Sequence, residues 1–324
     1  MSPRRDEAGF ALLIVLLIVL ALAGLSAAAM ESLQRSSKME ANANSIAQAR
    51  WFAIGADAYV RKTAEEMREN STQAGAMLRE GQRMTLPLDA GFMDIEVRDD
   101  SRCLNINSVV SGALDTYRRN DTGAAQMTEL FTALGLGRLH ANELVTSLVA
   151  WEDTVGGSRK SDPDDSPYRS QSPAYLTGKG LLADVSELRA IRGFAPDVYE
   201  TVSPWVCARA NNAPSAVNIN ALTPQDAPLL TALMEGALDP AVSARILTRR
   251  PKAGWPSVAA FWAQPEFAGL PTPEGVYAQT TATPDYLAVT VFVRHLDAEV
   301  TMTETLIFNG ARYSPAFRTW GSAQ

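Results

Sequence analysis

Residues 10–29 read FALLIVLLIVLALAGLSAAA, twenty residues without a single charge. As a helix rising 1.5 Å per residue, that stretch is long enough to cross a hydrocarbon core of about 30 Å. Inside lipid every backbone N–H and C=O must find its partner within the segment, so a helix is the expected form. Arg4 and Arg5 precede it, which favours a cytoplasmic N-terminus and an exported body. The run exceeds the usual apolar length of a cleaved secretory signal. Helical character does not stop at Ala29. From Ala27 to Glu69 there is no Pro and only Gly55, in a background of Ala, Glu, Gln, Met, Lys and Arg. Ile46, Ala49, Phe52 or Ala53, Ala56 and Val60 recur at helical spacing. One helix of about 90 Å is therefore expected from Phe10 to near Glu69, apolar in its first third and amphipathic in its last.

The rest of the composition narrows the class. The chain has 324 residues, 29 Lys and Arg against 36 Asp and Glu, two His and two Cys, and 46% hydrophobic residues. A net charge of -7 disfavours a general nucleic-acid binder, which would show a basic face. A four-ligand Cys/His zinc site would use every His and Cys in the chain. His140 and His295 lie far apart with no nucleophile motif beside them, and there is no phosphate loop and no Gly-x-Ser-x-Gly elbow. No enzyme is expected.

Beyond the helix, Asn70 to Leu88 reads as a loop. Gly91 to Asp100 alternates, with Met93, Ile95 and Val97 on one side and Asp94, Glu96 and Arg98 on the other, as in a half-buried strand. Tyr286–Val293 and Val300–Phe308 are rich in β-branched and aromatic residues and read as a hairpin joined through His295–Glu299. The long middle section reads as helical and carries a weak internal repeat. Asn105-Ile106-Asn107 is echoed by Asn218-Ile219-Asn220, and each precedes a helix, a glycine turn and a second helix. In the first copy these are Ala124–Leu134, Gly135-Leu136-Gly137 and Arg138–Trp151. The second has Thr223, Pro224 and Asp226 at a helix start, Leu229, Leu230 and Leu233 on one face, Gly236 at the turn, and Asp239-Pro240 opening a helix to Arg249. A third cap is expected at Ser186, ahead of Leu188 and Ile191 and ending at Gly193. The paired Asn side chains read as turn and cap formers.

A short basic leader ending in Gly9, then Phe10, then the apolar helix resembles the leader of type IV pilins and type II secretion pseudopilins. That resemblance implies cleavage between Gly9 and Phe10 by the prepilin peptidase, with the helix retained. Most members have Glu at the fifth mature position, where this chain has Ile14. Its loss resembles the K-type minor pseudopilins, as do the Asn-Ile-Asn stretches, Val185 to Phe194 and the Ala49–Ala53 segment. The implied fold is α+β: a long transmembrane and amphipathic helix on a small antiparallel pseudopilin sheet, with a large inserted all-α domain of two helix-hairpin-helix-like units. The implied divisions are a leader at 1–9, a transmembrane helix at 10–29 and its periplasmic continuation at 30–70. A β-domain then takes 71–104 and 285–324, with the α insert at 105–284. Implied partners are the I- and J-type minor pseudopilins, the pseudopilus and the inner-membrane platform, with the body in the periplasm and no nucleic acid bound. The implied role is a filament-tip subunit that initiates or caps assembly for export of folded proteins. The alternative reading is a membrane-anchored DNA receptor, using Gly135-Leu136-Gly137-Arg138 to hold phosphate.

Two local features remain. Glu152 to Asp165 is a Gly, Ser and Pro loop with five acids. The resemblance implies a calcium site there, with Asp153, Asp162, Asp164 and Asp165 as ligands, although Val155 stands where the family has a second acid. A solvated acidic loop, or one neutralised by Arg159 and Lys160, is the other reading. Cys103 and Cys207 are either one disulfide, as an oxidising periplasm would allow, or two buried thiols.

Overall fold

The computed structural model describes residues 5–69, 81–155 and 162–321. Helix α1 spans Arg5–Glu69, 65 residues and about 100 Å, unbroken because nothing in it interrupts the backbone ladder. Five strands form an antiparallel sheet: β1 (Gln82–Leu88), β2 (Gly91–Asp99), β3 (Tyr286–His295), β4 (Ala298–Phe308) and β5 (Tyr313–Trp320). Their order in the sheet is their order in the chain. The excursion between β2 and β3 thus leaves and returns at one point, closed by the Asp100 N–H donating to the Tyr286 carbonyl at 2.9 Å.

The last third of α1 lies on this sheet. Ala49, Ala53, Ala56, Val60 and Ala64 are all buried, against Ile95, Val289, Val291, Met302 and Leu306. Four of the five are alanines, which let the helix axis come close to the strands. β5 is fastened to α1 by polar groups. The Tyr313 N–H donates to Glu65 at 3.0 Å, and Arg318 bridges Asp57 (3.1 Å) and Glu304 (2.9 Å).

The excursion carries a second, separate core of Phe131, Leu144, Leu148, Leu188, Ile219, Leu230 and Phe261 among others. Its helices longer than a single turn are α2 (Asp121–Ala133), α3 (Arg138–Glu152), α4 (Pro196–Val202), α5 (Ala227–Leu233), α6 (Pro240–Thr248) and α7 (Val258–Trp262). α2 packs on both α3 and α5, and α5 packs on α6.

The repeat has a common construction. Leu104–Asn105 pairs in parallel with Val206–Cys207, and Val217–Asn218 pairs in parallel with Thr280–Thr281. Asn107 accepts from the Leu182 N–H at 2.9 Å and donates to the carbonyls of Leu182 (2.9 Å) and Arg209 (2.8 Å). Asn220 accepts from the Trp255 N–H at 2.6 Å and donates to the carbonyls of Trp255 and Ala282, both at 3.0 Å. In each unit one buried amide thus ties its own segment to two distant ones, with both N–H donors used and the oxygen accepting. The second unit needs Gly254 at φ +85° for this, since a Cβ there would sit 2.8 Å from the Asn220 Oδ1.

Several expectations are corrected. Gln82–Leu88, expected within a loop, is the edge strand β1, and β5 was not expected as a strand. Each contains a proline, Pro87 and Pro315, which the outer edge of a sheet tolerates. The β3–β4 turn is only Leu296-Asp297, with Leu296 at φ +52°. The third cap is Asp184 rather than Ser186: its carboxylate accepts from the Ser186 N–H at 2.8 Å, and Glu187 reaches back to the Asp184 N–H. α1 begins at Arg5, before Phe10.

Candidate functional site

The first candidate surface is α1 itself. Every residue from Leu12 to Asn44 is exposed, about 50 Å of helix. The uncharged part of this stretch exposes Leu12, Leu16, Leu20 and Leu25 at 62–68% each, a surface water would penalise heavily. It is long and apolar enough to cross a membrane. Gly9 and Phe10 lie within the helix, and Ile14 places no charge at that depth. Glu31 to Asn44 is polar, with Glu31 and Arg35 paired, and forms a spacer of about 20 Å between the apolar segment and the body.

The second surface is the acidic loop, of which 156–161, with Arg159 and Lys160, lie outside the described residues. Among the described residues, the cation that neutralises Asp162 and Asp164 is Lys179. Its Nζ lies 2.9 Å from Asp162, 3.1 Å from Asp164 and 3.2 Å from the Ala150 carbonyl. Burial works against the ammonium, yet its hydrogen bonds to Asp162 and Asp164 outweigh that and raise its pKa. The same bond lowers that of Asp162. Asp165 is fully buried and accepts from the Thr177 N–H (2.9 Å) and hydroxyl (2.7 Å), with Arg169 at 3.3 Å. Burial alone would raise its pKa, but these partners bring it below the usual carboxylate range. Asp153 accepts from the Val155 N–H at 2.7 Å.

Calcium requires six to eight converging oxygens. These four carboxylates are instead committed to Lys179, Thr177, Arg169 and a local turn, and no three metal-ligating residues converge among the described residues. The set as folded does not fit a calcium ion. Beside it Glu152 is fully buried, neither oxygen has a hydrogen-bond partner, and burial, with Glu187 adding repulsion, pushes its pKa up to about 9.

The third region joins the two cores. Cys103 and Cys207 form a disulfide, with Cα atoms 5.7 Å apart. Arg209 bonds Asp100 at 2.7 Å and lies over the Tyr286 ring at 3.9 Å. Asp99 accepts from the Asn218 side chain at 2.6 Å and the Ser101 N–H at 2.8 Å. Burial still raises its pKa to about 6.

The Gly135-Leu136-Gly137 turn offers little to a phosphate. Both amino groups of Arg138 are taken by Glu129, and Glu235 sits close enough to Glu129 for repulsion to add to burial in raising its pKa. His140 lies 3.7 Å from Glu143 on α3, while His295 ends β3.

Lys179, Thr177, Arg209 and Asp99 were not legible as site residues. The one local sign was a lysine between two glycines, Gly178-Lys179-Gly180.

Two family models, both described as type II secretion system (T2SS) protein K, match residues 102–211 and 217–281. These are the two repeat units just described. The chain is 33% identical to the type II secretion system protein K of Klebsiella pneumoniae over 263 residues, 80% of each chain. It is 28% identical to a putative type II secretion system protein K of Escherichia coli K12, over 82% of each. Its fold is similar to that of a chain in the crystal structure of the GspK-GspI-GspJ complex from enterotoxigenic Escherichia coli. There the TM-score is 0.67 at 23% identity, covering 85% of this chain and 96% of that one.

Proposed function

The chain belongs to the type II secretion system protein K family, the minor pseudopilins, and from that premise we propose that it occupies the tip of the pseudopilus. The observation that carries this is α1. It is exposed from Leu12 to Asn44, charge-free between Phe10 and Ala29, and joined to a body that carries an insert with a core of its own.

The apolar third anchors the subunit in the inner membrane until it is drawn into the filament, where neighbouring helices cover the surface that lipid covered before. Lipid and helix neighbours are interchangeable covers for such a surface, so extraction exposes little apolar area to water. The polar spacer then holds the body clear of the membrane, on the periplasmic side to which Arg4 and Arg5 direct it. With Ile14 in place of an acid, the chain has no carboxylate at this depth to pair with the N-terminal amine of a subunit above it. Such a subunit serves best where none follows.

The partners proposed are the I- and J-type minor pseudopilins, in keeping with the complex that contains the similar fold. Their helices would lie along α1, and the three bodies together would start or cap the filament. The acids around the glycine turn and the net charge of -7 do not favour the DNA-receptor alternative. The test is the N-terminus of the protein recovered from cells with active prepilin peptidase. Phe10 as the first residue supports the reading, and an intact Met1 removes it.

A further inference from the structure

We infer that Lys179 is the resident cation of the acidic loop, standing where a divalent ion would otherwise neutralise Asp162 and Asp164, so that this chain folds its insert without metal. An ammonium has three protons, and three acceptors meet them at 2.9, 3.1 and 3.2 Å: Asp162, Asp164 and the Ala150 carbonyl. The side chain is 13% exposed, which a lysine does not adopt without partners.

The third acceptor shows what the lysine does for the fold. Ala150 is in the last turn of α3, where carbonyls lack an intrahelical partner. Lys179 supplies two of them, its ammonium to Ala150 and its N–H to the Trp151 carbonyl at 2.8 Å. It thus places a full positive charge at the negative end of the helix dipole while pairing two carboxylates.

The turn that delivers it is specialised. Lys179 has φ +51°, a conformation rare for a residue with a side chain. Gly178 cannot be replaced without displacing Trp151, because a Cβ there would lie 2.7 Å from its Nε1. A solvated lysine needs none of this. A divalent ion reaching Asp162 and Asp164 would have to expel the ammonium and leave the Ala150 carbonyl without its partner.

The experiment uses the full-length protein in detergent, stripped with a chelator. Calorimetric titration with calcium chloride to about 5 mM, beyond the weakest extracellular calcium modules, should give no saturable heat. The melting temperature should agree within about 1 °C in chelator and in calcium, as RT ln(1 + [L]/Kd) requires when nothing binds. Lys179→Met keeps the apolar stem and removes the charge. It should lower the melting temperature in chelator by about 6–12 °C, and calcium should then raise it. Saturable calcium binding by the unaltered protein, abolished by Asp164→Asn, would overturn the inference without recourse to the lysine variant. So would a Lys179→Met protein that melts like the parent, or one whose melting ignores calcium.

Discussion

The disulfide offers a perturbation whose size follows from chain topology. Cys103 and Cys207 are 104 residues apart and staple the two ends of the first repeat unit. In the folded chain those ends are also held by the parallel pairing of Leu104–Asn105 with Val206–Cys207 and by Arg209 on Asp100. Replacing both cysteines with serine therefore leaves native geometry largely in place and acts on the unfolded chain. The loop-entropy relation for a closure of this length gives about 16 cal/mol/K, or about 4.7 kcal/mol at 25 °C. The whole insert at 105–284 shares one core, and a domain of that size loses about 2–4 °C of melting temperature per kcal/mol, so Cys103→Ser/Cys207→Ser should melt about 9–19 °C lower. Differential scanning calorimetry of the full-length protein in detergent, with and without reductant, reads this directly. The reduced parent and the serine variant should coincide. A loss under about 1 kcal/mol, or about 3 °C, would refute the reasoning, because it would mean the ends of this unit already stay together in the unfolded chain.

Two further predictions follow from buried polar groups. Glu152 has a folded pKa of about 9 against an ordinary value of 4.5, so the native state holds a proton the unfolded chain has released between those values. Stability should then fall as pH rises from about 4.5 to 9, by about 3 kcal/mol between pH 4.5 and 7. Glu152→Met should flatten that decline and raise the midpoint of urea unfolding at pH 7; an unchanged pH profile would show that the carboxyl is not the source. Asn107→Ala and Asn220→Ala each leave three buried backbone groups in two segments without partners and should each cost about 3 kcal/mol by thermal unfolding. A large cost at one and none at the other would contradict the equivalence of the two units.

What could be read beforehand, and what could not, divides along physical lines. α1 was legible because its chemistry is uniform over many turns: no proline, one apolar third, one alanine face. β2 was legible because one face is buried and alternation records it, and β3 and β4 because they are rich in the β-branched and aromatic residues that suit a pleated sheet. β1 and β5 were missed because edge strands are under weaker constraint. Pro87 and Pro315 are tolerated there because at a sheet edge neither proline removes a bond the sheet needs. The acidic loop was visible as a concentration of charge, but its counter-ion comes from Lys179, 15 residues beyond Asp164, through a turn whose geometry only the fold reveals. The Asn-Ile-Asn motifs were read correctly as turn formers in part. Asn105 and Asn218 do accept from the N–H two residues on. The longer reach of Asn107 and Asn220, across 75 and 35 residues, has no signature in local spacing.

The tip assignment is tested most directly by co-expressing the full-length chain with the I- and J-type minor pseudopilins of the same organism and determining the mass of the detergent-purified assembly by light scattering. The account predicts one copy of each protein in a single complex. An I–J pair that forms alone, while this chain elutes by itself under the same conditions, would contradict it.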